Sequence, residues 1–187
     1  MAEFANNKNR MMEPWIETYT GNKFNFTHLH DISKISIEDI GHSLGNLCRY
    51  TGHCQHFYSV AQHSVNVSYL VPKEKAVWGL LHDAAEAYLG DMSSPLKLLI
   101  PSYKLFEQTT MSRIANRFNL PIFFWEDKDV KLADTSQLKI ESFYLLPNKG
   151  KDWYFPDNCV DGIKPKRLTP KESIELFMER AKELGVR

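Results

Sequence analysis

Two short stretches of this chain gather residue types that hold metal ions. One is residues 61–64, with His63 between Gln62 and Ser64. The other is residues 79–91, where His82, Asp83, Glu86 and Asp91 interrupt a run of Leu and Ala. Ionisable groups in apolar surroundings cost free energy unless something pairs with them. Neutral imidazole and carboxylate suit zinc and the neighbouring transition metals, and a cation so held can make a nucleophile of water at neutral pH. Glu86 lies four residues after His82 and three after Asp83, so a helix places all three on neighbouring positions of one face. Ala84, Ala85 and Ala87 leave room around them, and the apolar run over 76–81 implies burial.

The elements that must position these groups read as mainly helical. Residues 15–19 and 23–26 alternate around Gly21 and Asn22, which predicts a small N-terminal hairpin and the one convincing strand pair. Ser36, with Asp39 three later, opens a helix expected to end at Arg49, and Ser59 with Gln62 opens a second that carries His63 and stops before Pro72. A third is expected over residues 73–89, closed by Gly90. Ser94 is expected to cap a fourth, with Pro95 at its first position, interrupted at Pro101 and continuing to Phe118. Residues 127–145 form a fifth, and Thr169 with Glu172 makes a capping box for the last. Residues 147–169 read as a packed loop carrying Trp153, Tyr154 and Phe155.

Length and composition narrow the function. A chain of 187 residues builds one core, so residues 14–187 are expected as a single domain after a flexible tail over 1–13. Twenty-three basic residues balance twenty-three acidic ones, which leaves no general basic field for nucleic acid. No apolar run is long enough for a signal peptide or a membrane helix. Cys48, Cys54 and Cys159 have neither zinc-ribbon spacing nor an even count, which fits a reducing cytoplasm.

The residues around His63, His82 and Asp83, together with the segments at 15–21, 37–40, 57–65 and 79–91, resemble the HD-domain metal-dependent phosphohydrolases. Phage dATP triphosphohydrolases and bacterial 5'-deoxynucleotidases are the most similar members. The resemblance implies an HD-domain helical bundle and a metal quartet of His63, His82, Asp83 and Asp134. It implies a divalent cation, zinc foremost, with cobalt, manganese or magnesium also compatible and room for a second ion. Two His and two Asp leave coordination positions open for water and a phosphate oxygen, as a hydrolytic site needs. Glu86 is then placed to accept or orient the water's proton, and Asp91 to orient the nucleophile or a sugar hydroxyl.

The same resemblance points to Arg49, Lys97 and Lys131 for the phosphates, with positions 131, 134, 138 and 141 sharing a helix face. Tyr50 and Pro95 would wall a slot for the base. The similar phage enzymes often have Trp where this chain has Tyr50. His53, Cys54 and His56 lack a ligand pair at zinc-finger spacing, so they are expected in a loop over the site, with His56 at most touching substrate. Three expectations follow: dATP triphosphohydrolase activity first, since three cations suit a triphosphate; 5'-deoxynucleotidase action on monophosphates second; and a non-catalytic nucleotide or metal sensor third. The expected partners are a small deoxynucleotide and further copies of the chain, as a dimer or hexamer with contacts near Trp153, without nucleic acid or membrane. The setting would be the cytoplasm, or the host cytoplasm for a phage-encoded chain.

Overall fold

A computed structural model describes residues 13–187, so the tail expected over 1–13 lies, apart from Glu13, outside the described residues. Strands β1 (Trp15–Glu17) and β2 (Lys23–Asn25) pair antiparallel with Ile16 opposite Phe24, and they are the only sheet among the described residues. The strands are shorter than the alternation suggests because the Thr18 N–H donates to the Asn22 carbonyl and closes the loop early. Phe24 is fully buried and stacks on Tyr88 at 4.1 Å, while the Asp39 carboxylate accepts from the Thr20 N–H and hydroxyl. The hairpin is thus pinned to the helical body by the Phe24–Tyr88 stack, by the Asp39 carboxylate and by Arg113, whose Nη1 donates to the Asn25 carbonyl at 2.9 Å.

The helices are α1 (Ile37–Asn46), α2 (Val60–Leu70), α3 (Ala76–Leu81), α4 (Glu86–Leu89), α5 (Ser94–Leu99), α6 (Pro101–Arg117), α7 (Lys128–Leu145) and α8 (Pro170–Glu183). The local start signals work as expected. The Ser36, Ser59 and Thr169 side chains accept from backbone N–H groups three residues on, and Thr169 with Glu172 forms the reciprocal box. Asp39 and Gln62 do not reach back in this way, because Asp39 holds the hairpin and Gln62 Oε1 accepts from the Lys166 N–H. Ser93, not Ser94, is the residue before α5, so Pro95 falls at the second helical position.

α2 is buried on every side from Val60 to Ser68 and packs against α1, α3, α7 and α8. A helix so enclosed belongs to the core. The main cluster around it includes Phe24, Ile40, Leu44, Val65, Leu80, Ile114 and Phe177, and a smaller one joins Val67 and Val71 to Val130 and Ala133. Gly79 sets the separation of α2 and α3, since a Cβ there would stand 2.9 Å from Ser68 Cα. The loop at 147–169 docks through its second half, where Gln137 exchanges two hydrogen bonds with the Ile163 backbone; Trp153 and Tyr154 remain exposed. Among the described residues no helix is long and apolar enough to cross a membrane.

Two expected helices end differently. α1 stops at Asn46, and Cys48 pairs with Ser59 in an isolated antiparallel bridge, so Arg49 lies in extended chain rather than in a last helical turn. The helix expected over 73–89 begins as a 3-10 turn and breaks at residues 82–85. There the N–H groups of Ala84 and Glu86 donate to carbonyls only three residues back, at Leu81 and Asp83. Tightened winding of this kind inside a helix eclipses positions i and i+3 and recurs at functional sites. Gly90, with φ +81°, then turns the chain away.

Candidate metal centre

The close approach allowed by Gly79 brings His82, three residues later at the C-cap of α3, against His63 on α2. Their Nε2 atoms stand 3.3 Å apart. Each ring's other nitrogen is committed: His82 Nδ1 donates to the Gly79 carbonyl at 2.8 Å, and His63 Nδ1 pairs with Glu141 Oε1 at 2.8 Å. A carbonyl can only accept, so the proton of a neutral His82 sits on Nδ1; the carboxylate of Glu141 imposes the same tautomer on His63. With both rings neutral, two nitrogen lone pairs would face one another across 3.3 Å. That arrangement repels unless a positive charge lies between the rings.

Two carboxylates complete the ring of donors. Asp134 Oδ1 on α7 lies 3.1 Å from His63 Nε2 and 3.8 Å from His82 Nε2, and Asp83 Oδ2 lies 3.3 Å from His82 Nε2 and 3.8 Å from His63 Nε2. His63, His82 and Asp83 hold their donor atoms within 4.8 Å of one another and could hold a metal ion. The imidazoles form the buried floor, while the Asp83 and Asp134 side chains are 24% and 32% exposed. The rim that solvent or a ligand can reach is thus the carboxylate side.

The same field shows in the protonation preferences. Burial opposes charge on His82, but the Asp83 carboxylate, with Asp134, outweighs it and lifts the imidazole to about 10. Burial likewise disfavours charge on Asp134 and Asp83, yet hydrogen bonds from both imidazoles hold Asp134 well below the usual carboxylate range, and the charge on His82 does the same for Asp83. A cluster that attracts a proton this strongly also attracts a cation, and the chemistry of the donor set fits a divalent metal with nitrogen and oxygen ligands.

Glu86 opens α4 and is buried; among the described residues its Oε2 has no hydrogen-bond partner, and its Oε1 lies 3.5 Å from Lys97 Nζ. Burial, with the charges of Asp83 and Asp91, pushes its carboxyl well above the usual range. Asp91, half-buried just after Gly90, is raised for the same first reason. Lys97 on α5 also donates to Glu107 of α6. Arg49 bridges the cluster, with Nη1 3.6 Å from Asp83 Oδ2 and Nε 3.2 Å from Glu141 Oε2, the latter not aligned as a hydrogen bond. Lys97 and Arg49 are therefore at the centre and already paired with carboxylates.

The remaining expected residues divide. Tyr50 is adjacent, donating its hydroxyl to Glu141 Oε2 at 3.3 Å from a left-handed turn (φ +56°) that continues through Thr51. Pro95 is exposed on α5. His56 is half-buried beside the charge of Arg167. Lys131 is not brought in: its half-exposed amine lies 3.6 Å from Glu126. Position 131 lies in the first turn of α7, beside the 3-10 turn at Phe124–Glu126, and its amine meets Glu126 rather than a group of the centre.

Glu141 is the residue that spacing alone did not single out. It is fully buried and accepts from Tyr58 (2.7 Å), His63 (2.8 Å), Gln137 (3.0 Å) and Tyr50 (3.3 Å). Its place two turns after Asp134 on one face of α7 was the available signal; its partners other than Gln137 lie some 80 to 90 positions earlier in the chain.

With the geometry in view, the relatives give the family. The chain is 38% identical over 175 residues to the Escherichia coli K-12 protein named "Uncharacterized protein YfdR", spanning 91% of this chain and 96% of that one. The chain belongs to the YfdR family. A second relative, an uncharacterized protein of Rhodobacter capsulatus, is 34% identical over 120 residues, which is 58% of this chain and 61% of the relative. No family model matches the chain.

Proposed function

We propose that this member of the YfdR family is a metal-dependent phosphohydrolase of 2'-deoxynucleotides, with the HD-domain arrangement that its motifs resemble. The observation that carries the reading is the pair of opposed imidazole Nε2 atoms, 3.3 Å apart and flanked by Asp83 and Asp134. A divalent cation held by His63, His82, Asp83 and Asp134 would supply Lewis acidity toward phosphate and lower the pKa of water. Glu86, ionised when a bound cation and Lys97 offset its charge, is the group to take the proton from an attacking water and pass it on, and its burial makes that carboxylate a stronger base. Lys97 offsets the charge that Glu86 gains on losing its proton. Arg49 meets the phosphate by exchanging its contact with Asp83 for phosphate oxygens while keeping Glu141 behind it. Asp91 faces the same space and orients the nucleophile or a sugar hydroxyl.

The choice of a deoxynucleotide rests on the motif resemblance. Within that class the position of Lys131 favours the shorter phosphate: with that amine turned toward Glu126, two cations remain rather than three, which suits 5'-deoxynucleotidase action better than dATP triphosphohydrolase action. The test is incubation of zinc-, cobalt- or manganese-loaded protein with the four dNTPs and four dNMPs, with products resolved by chromatography. Orthophosphate from a dNMP supports the monophosphate reading and tripolyphosphate from dATP the other. Absence of turnover with every metal and nucleotide would leave a sensor and defeat the hydrolase.

A further inference from the structure

We infer that the corner formed by α5 and the start of α6 docks a second copy of this chain, and that this contact holds Lys97 at the metal centre. α5 has six residues, none of them buried. A helix that short does not hold itself in water. What ties it down is Lys97, paired with Glu107 and near Glu86, together with the Tyr103 hydroxyl donating to the Gly90 carbonyl. The outward side of this corner is largely apolar: on α5 Leu98 and Leu99 are 82% and 78% exposed and Leu96 is open to solvent, as are Ile100 and, on α6, Leu105 and Phe106.

These six side chains fall within eleven consecutive residues and expose on the order of 700 Å², above the roughly 300–600 Å² of the largest patch on a typical monomer. A standard interface takes about 800 Å² from each partner, so the patch is nearly sufficient for one. Its chemistry selects the occupant. The exposed charge in this stretch is the single Lys104, too little to draw an anionic lipid surface or a charged partner. A face that is apolar but for Ser102 and Lys104 can meet its own copy, which is the condition for a two-fold contact between identical chains. Covering α5 would exclude water from the outer side of Lys97 and fix its amine against Glu86.

Self-association stands on the exposed surface alone; its consequence for turnover rests on the hydrolase reading above. The test is sedimentation velocity, from about 1 to about 100 µM, of the wild type and of the Leu98→Glu/Leu99→Glu double variant, with zinc binding followed in both. Both positions face solvent, so the variant is expected to fold, and its circular dichroism and zinc stoichiometry should match the wild type. The expected result is a wild-type dimer or closed oligomer and a monomeric variant with kcat/KM about tenfold lower. A monomeric wild type, or a variant that still associates, overturns the interface. So does wild-type flotation with phosphatidylglycerol vesicles that the variant loses. A monomeric variant with undiminished turnover overturns the role assigned to the contact in holding Lys97. If neither protein turns over nucleotide while both bind zinc, the hydrolase reading fails, and sedimentation still decides the interface.

Discussion

Replacing Glu141 by Gln tests whether the centre is held from behind. Gln has the same shape but offers one acceptor and one donor where the carboxylate offers two acceptors. Three of the four hydrogen bonds, from Tyr58, His63 and Gln137, converge on Oε1, so the amide oxygen will take that side. The amide nitrogen then faces the Arg49 guanidinium, which can only donate, and the Tyr50 hydroxyl, which must turn from donating to accepting. His63 keeps its tautomer but loses the charge that makes Nε2 a better ligand. Partners of this kind change metal affinity by about 10- to 100-fold, or about 1.4–2.8 kcal/mol. The mismatch left at the amide costs a further ~1–3 kcal/mol of folding stability, which for a chain of this size lowers Tm by about 3–10 °C. Zinc affinity is read by competition with a chromophoric chelator, and stability by thermal melts of protein treated with chelator. A Glu141→Gln protein that melts lower yet binds zinc within about twofold of wild type would show that Glu141 supports only the fold, and the reasoning about His63 would be refuted.

Other outcomes follow from the same geometry. Glu86→Gln is expected to bind zinc as well as wild type while kcat falls by about 10²–10⁴-fold, the usual span for a lost proton acceptor, as read by phosphate release. Lys131→Ala should change kcat/KM less than about twofold, whereas Lys97→Ala should lower it by more than about tenfold; equal effects would put Lys131 back at the centre. Without metal, His82 is raised from about 6.5 to about 10, so its contribution to stability is complete below pH 6.5 and is lost as pH rises through about 10. Glu86, also raised, acts in the same direction above its ordinary range. Chelator-treated protein should therefore melt at progressively lower temperature from pH 6.5 to 10, and a flat profile would contradict the assigned field. Gly79→Ala places a Cβ 2.9 Å from the Ser68 backbone and should destabilise by about 1–3 kcal/mol in denaturant titration, with zinc affinity falling as α2 and α3 are forced apart.

How much of this could be read from the chain depended on the range of the interaction. Start signals such as Ser36, Ser59 and Thr169 act over three residues, and the structure forms all three. The ends were less legible: α1 stops at Asn46 because Cys48 finds a bridge partner in Ser59, eleven positions away, which no local pattern announces. The expected helix through 82–89 tightens and breaks where His82 and Asp83 turn toward His63 and Asp134, so tertiary pairing overrides local propensity there. The four ligand residues were accessible through motif resemblance, yet Glu141 and the outward turn of Lys131 depend on which side of α7 packs against α2.

Equilibrium dialysis against zinc, with metal counted per chain, puts the central claim to its most direct test. The account predicts stoichiometric zinc in the wild-type protein and its loss in both His63→Ala and Asp83→Ala, with the folded far-ultraviolet spectrum retained. Zinc that survives both substitutions, or a wild-type chain that takes up no divalent ion, would contradict it.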